Sequence, residues 1–162
     1  MTRLAKPLKE FIEEQDWKDE ITEDEERGFA QLSTRIRIAN QSCRLFIDTH
    51  DERDAIAVHC YLPFNALPDN VVQTCVLANA INRRHRYTRL EIDPDDGELR
   101  IVMWTNFADL EPTGRNVDIM VDFCLSIPRE WMGTIAEVAL AGKPAEQVIA
   151  AREAEEAPGE GD

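Results

Sequence analysis

Between Gly28 and Pro63 three runs of alternating polar and apolar residues follow one another with almost nothing between them, and that spacing decides how the chain can fold. Leu32, Ile36 and Ile38 alternate with Gln31, Ser33, Arg35 and Arg37. Cys43, Leu45 and Ile47 resume the period after Asn40-Gln41-Ser42, and Ile56, Val58, Cys60 and Leu62 follow a polar turn from His50 to Asp54. Successive side chains of a strand point to opposite faces, so each run has one buried side. Connections this short cannot hold the crossover that parallel strands need, so the three strands are predicted to pair as an antiparallel meander.

Pro63 and Pro68 end that run, and from Pro68 to Arg84 the period becomes helical. Val72, Cys75, Val76, Asn79 and Ala80 fall on neighbouring faces, widened by Val71, Ala78 and Ile81, which predicts a helix covering the sheet. Thr88, Leu90 and Ile92, the turn Pro94-Asp95-Asp96-Gly97, and Leu99, Ile101 and Met103 predict a second hairpin. Another helix is expected from about Asn116, with Val117, Met120, Val121, Cys124 and Leu125 inward. Pro128 lacks the amide donor and clashes with the preceding turn, so it is expected to kink or interrupt this helix near Ser126. Trp131, Ile135, Val138 and Ala139 resume the stripe, Gly142 stops it, and Pro144 opens a final short helix through Val148. At the other end, Leu8, Phe11, Ile12 and Trp17 suit a helix from about Leu8 to Trp17, followed by an acidic loop. The resulting order is α-βββ-α-ββ-α, an α+β fold on a five-stranded antiparallel sheet.

Two stretches carry a resemblance. LANAINRRHRYTRLEIDPDDGELRI, with Asn79 and Asn82 three apart on a helix before a hairpin, resembles the central signature of the YbjN family, described as bacterial sensory-transduction regulators. MVDFCLSIPREWMGTIAEVALAGKPAEQVI is similar to that family's closing helix and short extension, and the match runs from about residue 68 to 150. The resemblance implies the fold of type III secretion chaperones, compact α+β proteins that usually dimerise and hold an effector segment without hydrolysing it. It implies a non-enzymatic binding module acting as a homodimer on a protein partner.

The 162 residues suit one domain, expected over 1–152, with 153–162 read as an acidic disordered tail. A formal charge of -14 repels phosphate backbones and anionic lipid, so neither nucleic acid nor membrane is an expected partner. The one basic cluster, Arg83, Arg84, His85, Arg86 and Arg89, reads as cations complementing a helix end. The opening MTRLAKPLKEF becomes charged before a signal-peptide core could form, and no apolar run nears the roughly 20 residues that cross a bilayer. A cytoplasmic location is expected, with Cys43, Cys60, Cys75 and Cys124 as reduced thiols.

No catalytic, cofactor or metal residue is expected. Glu91, Asp93, Asp95, Asp96 and Gly97 lack the register of a calcium loop and read as a hairpin turn. His59 and Cys60, adjacent on a strand, point to opposite faces and cannot act as a nucleophile and its base. His50 and His85 have no zinc-ligand spacing, and Gly114 and Gly142 form no phosphate loop. Asn79 and Asn82 read as a polar pair tying helix to hairpin.

The remaining feature is the second face of the sheet, where Phe29, Arg35, Arg37, Phe46, His59, Tyr61, Val102 and Trp104 fall opposite the core. Aromatics with arginines are enriched at protein interfaces, so this face is the expected contact for a partner or a second copy, unless a second helix layer covers it. The alternative is a small-molecule-binding or weakly enzymatic site built from Asn79, Asn82, His59 and the arginines in a pocket between helix and sheet.

Overall fold

Ala39 and Asn40 both take left-handed backbone, at φ 47° and 62°, and turn β2 (Phe29–Ile38) into β3 (Gln41–His50) within two residues. Ile38 pairs with Gln41 and Phe29 with His50, so the two ten-residue strands run in full register. The computed structural model describes residues 2–156 and adds α1 (Ala5–Glu14), β1 (Ile21–Asp24), β4 (Ala55–Tyr61), α2 (Val71–Arg84), β5 (Arg89–Ile92), β6 (Leu99–Asn106), α3 (Gly114–Ala139) and α4 (Ala145–Glu156). The α+β class stands.

The sheet has six strands rather than five, in the order β1-β2-β3-β4-β6-β5, with every neighbouring pair antiparallel. The extra strand, β1, lies in the stretch read as an acidic loop. Its four residues contain one apolar side chain, Ile21, which is too few for an alternation to show. The meander also ends at β4, because β6 pairs beside it and pushes β5 to the edge. Alternation identifies strands but not their neighbours.

Phe11 of α1, Leu77 and Ile81 of α2, and Cys124, Trp131 and Ile135 of α3 are buried with Leu45, Ile47, Val58 and Ile101 of the sheet in one core. α1 begins three residues earlier than expected, with Pro7 in its first turn, where a missing amide costs no hydrogen bond. Trp17 lies beyond its end but still packs edge-on against Phe11 at 5.1 Å. Gly114 opens α3, and a Cβ there would lie 2.8 Å from Phe11 N, so α1 and α3 approach closely.

α3 runs uninterrupted through Pro128, against the expected break. Cys124, Leu125 and Ile127 before the proline and Trp131, Met132 and Ile135 after it are all buried. Each large buried side chain contributes about 1.5–3 kcal/mol, which together outweighs the roughly 3 kcal/mol that an interior proline costs. α4 extends past Val148 to Glu156, so residues 153–156, read as the start of a tail, are helical. Residues 157–162 of that expected tail lie outside the described residues.

Candidate protein-binding face

The helices pack on one side of the sheet, and the other side is lined by every second residue of β2, β3, β4 and β6. In register, Phe29 stands opposite His50, Arg35 opposite Arg44, Arg37 opposite Ser42, and Phe46 opposite His59, which in turn faces Val102. Tyr61 lies between Arg44 and Arg100, and Trp104 faces Ala57. All eight residues singled out from the sequence therefore share one face. No second helix layer is found over it among the described residues: Arg35 and Arg37 are exposed, Phe46, His59, Tyr61 and Val102 are half-buried, and Trp104 is 53% exposed.

The centre of this face is aromatic. Phe46 meets Tyr61 edge-on at 5.5 Å, His59 stacks beside Tyr61 at 6.5 Å, and the Arg44 guanidinium sits 4.9 Å above the Tyr61 ring. A polar row borders it: Gln31 Nε2 donates to Asp48 Oδ1 at 2.7 Å, and Asp48 Oδ2 lies 3.4 Å from His59 Nε2. His59 Nδ1 is buried without a protein partner. Burial holds the His59 imidazole below its ordinary pKa of 6.5, because the loss of water outweighs the attraction of Asp48. Arg44 pairs with Glu98 at 3.3 Å and Arg100 with Glu91 at 3.0 Å, whereas Arg35 and Arg37 have no carboxylate partner among the described residues. Packed rings beside unmatched cations make a surface suited to holding a polypeptide, and among the described residues of this face no nucleophile and base are brought together.

The two asparagines separate in role. Asn82 Oδ1 accepts from Leu90 N at 2.8 Å and its Nδ2 donates to Leu90 O at 3.1 Å, which ties α2 to β5. Asn79 is exposed and takes no part in that tie, because it lies a turn earlier, in a shallow recess bordered by Val76, Arg83 and Ile149. His59 lies across the sheet from α2, so the alternative pocket of Asn79, Asn82 and His59 is not assembled.

The basic cluster caps and clasps. Arg89 Nη1 donates to the carbonyls of His85 and Thr88, both at 2.9 Å, while Arg84 pairs with Glu153 at 3.1 Å and Glu156 at 3.2 Å. Cys43, Cys60 and Cys124 are buried thiols and Cys75 is exposed. The neighbouring Cys43 thiol, together with burial, raises the Cys60 thiol, and burial raises that of Cys124 to about 12, which leaves both unreactive. Among the described residues no His, Cys, Asp and Glu group is arranged to hold a metal, and no helix is long and apolar enough to cross a membrane.

Sequence reasoning missed the row from Gln31 through Asp48 to His59. The signal was present, since Gln31 and Asp48 keep the same outward phase as Arg35 and Phe46.

A family profile named YbjN, described as "Putative bacterial sensory transduction regulator", matches residues 5–136. Among solved structures, a chain of the ExsC-ExsE complex superposes with a TM-score of 0.57 at 16% identity, covering 87% of this chain and 99% of that one. The crystal structure of YbjN from E. coli superposes with a TM-score of 0.51 at 13% identity, covering 78% of this chain and 89% of that one. At these identities the likeness shows a shared fold. No curated protein matches.

Proposed function

The chain belongs to the YbjN family, and from that premise we propose a non-enzymatic protein-binding domain, a regulator or chaperone-like module that holds a partner on the outer face of its sheet. The observation that carries this reading is the uncovered centre of aromatic Phe46, His59 and Tyr61 with aliphatic Val102, and Trp104 53% exposed beside it. A sheet face that only meets water is polar across its outward positions, and the centre of this one carries Phe46, Tyr61, Val102 and Trp104 instead. The complex named for one solved neighbour, ExsC with ExsE, agrees with a fold that holds another protein.

Action as a homodimer belongs to the same reading. Leu67, Val72, Val76 and Leu140 are exposed on the helical side, and Leu67 N donates to Ala139 O at 3.0 Å, bringing two of them close. A second copy seated there leaves the sheet face free. A cytoplasmic location fits four cysteines carried as free thiols.

Photo-crosslinking tests the assignment of faces. A benzophenone side chain placed at Trp104 is expected to capture a partner in cells, and one at Asn79, on the helical side, is not. Capture of the same partner from Asn79 but not from Trp104 would refute it.

A further inference from the structure

β1 pairs with β2 only from Phe29 to Leu32, so the outer edge of β2 from Ser33 to Ile38 has no strand beside it among the described residues. Every second residue of a strand directs its N–H and C=O to one side, which leaves about three residues' worth of backbone groups open there. Such edges invite another strand.

The side chains of this stretch specify what kind. Arg35 and Arg37 point to the outer face and have no carboxylate partner among the described residues, in a chain with 32 acidic and 18 basic residues. Arg35 stands directly opposite Arg44, and like charges so placed repel. Arg44 is engaged by Glu98 and the Tyr61 ring, so the uncompensated charge is that of Arg35 and Arg37. On the inner side Thr34 and Ile36 are half-buried and Ile38 is buried against the core.

We infer that an extended acidic segment of a partner protein adds as a strand along Ser33–Ile38, setting carboxylates opposite Arg35 and Arg37 and apolar side chains beside Thr34, Ile36 and Ile38. The inference rests on the protein-binding reading and adds the partner's chemistry: acidic and apolar residues in alternation. A second copy of β2 does not fit, because two such edges set arginine against arginine. A nucleic acid does not fit either: Arg44, opposite Arg35, is already paired with Glu98, and the chain carries a formal charge of -14.

Selection of random phage-displayed peptides on the full chain at physiological ionic strength tests this. The selected sequences are expected to alternate Asp or Glu with apolar residues. Affinity of the leading synthetic peptide should fall about tenfold or more on Arg35→Ser with Arg37→Ser. Replacing the peptide's own carboxylates by amides, or N-methylating its backbone, should weaken binding to the unaltered chain equally, which needs no folded variant.

Peptides that depend on Tyr61 but not on the two arginines would overturn this inference and leave the protein-binding reading standing. Peptides indifferent to all three residues, or none selected, would overturn both. Arginine-dependent binding of oligothymidylate in place of peptide, or a dimer lost on the same double substitution, would also overturn the acidic-strand assignment.

Discussion

Asp48 Oδ2 lies 3.4 Å from His59 Nε2 across β3 and β4, while Nδ1 of the same ring is buried without a protein partner. The geometry favours a neutral imidazole, since protonation would leave a second buried N–H unpaired. Burial lowers the folded pKa of His59 below 6.5, and lowers that of His85 beside Glu130 in the same way. Both rings accept protons more readily in the unfolded chain. Their contribution is therefore fully present above the unfolded value of 6.5 and is lost as pH falls through the lower folded values. Urea midpoints should decrease from about pH 7 to about pH 5.5, with a shallower decrease in His59→Gln. A midpoint that holds steady or rises on acidification would contradict this.

Asn82 and Asn79 offer a contrast three residues apart. Asn82→Ala leaves the Leu90 N–H and C=O without their side-chain partner and is expected to cost about 2 kcal/mol. Asn79→Ala, on the exposed side of α2, is expected to stay within about 0.5 kcal/mol. Equal losses in denaturant unfolding would show that the tie between α2 and β5 is not Asn82's alone.

Two arginine guanidiniums stand over the Trp131 ring. The Arg152 guanidinium sits 3.8 Å from its ring centroid and that of Arg84 5.2 Å, and Arg152 also pairs with Glu130 and Glu156, both at 3.1 Å. Arg152→Ala is expected to cost about 1–2 kcal/mol and to free α4 before the rest of the chain unfolds. Hydrogen exchange should speed up in Ala145–Glu156 while β3 and β4 stay protected. Uniform acceleration would mean that α4 unfolds only with the whole domain.

Of the four thiols, only Cys75 is exposed, so a maleimide should modify one cysteine per native chain. Cys43 and Cys60 lie in the core, and Cys124 packs near Ile101 O at 3.4 Å. Intact mass after brief labelling reads the outcome. Rapid labelling of three or four would show that the sheet opens more freely than its packing allows.

The legible parts of this fold were those where one side chain in two, or a helical stripe, meets the core. β2, β3, β4, β6 and α2 fall where alternation and the helical period put them, because Leu32, Leu45, Val58, Ile101 and Leu77 are all fully buried. Three features resisted for physical reasons. β1 is held by backbone pairing and by Glu23, whose carboxylate takes Lys9 Nζ at 2.6 Å, rather than by an apolar period. Pro128 breaks a local rule that the burial of Ile127 and Trp131 overrides. The place of β6 beside β4 depends on contacts far apart in sequence, such as Val58 with Met103. The candidate face was legible as a set of residues, since outward phase is as periodic as inward. Its open edge was not, because that depends on where β1 stops.

The most direct test of the central claim is affinity capture from the native organism with the unaltered chain and with Tyr61→Ala plus Trp104→Ala, read by mass spectrometry beside thermal unfolding of both. A protein retained by the first and lost from the second, at similar melting temperature, is the predicted result. Recovery of the same proteins in the same amounts from both chains would contradict the assignment of the outer sheet face as the binding surface.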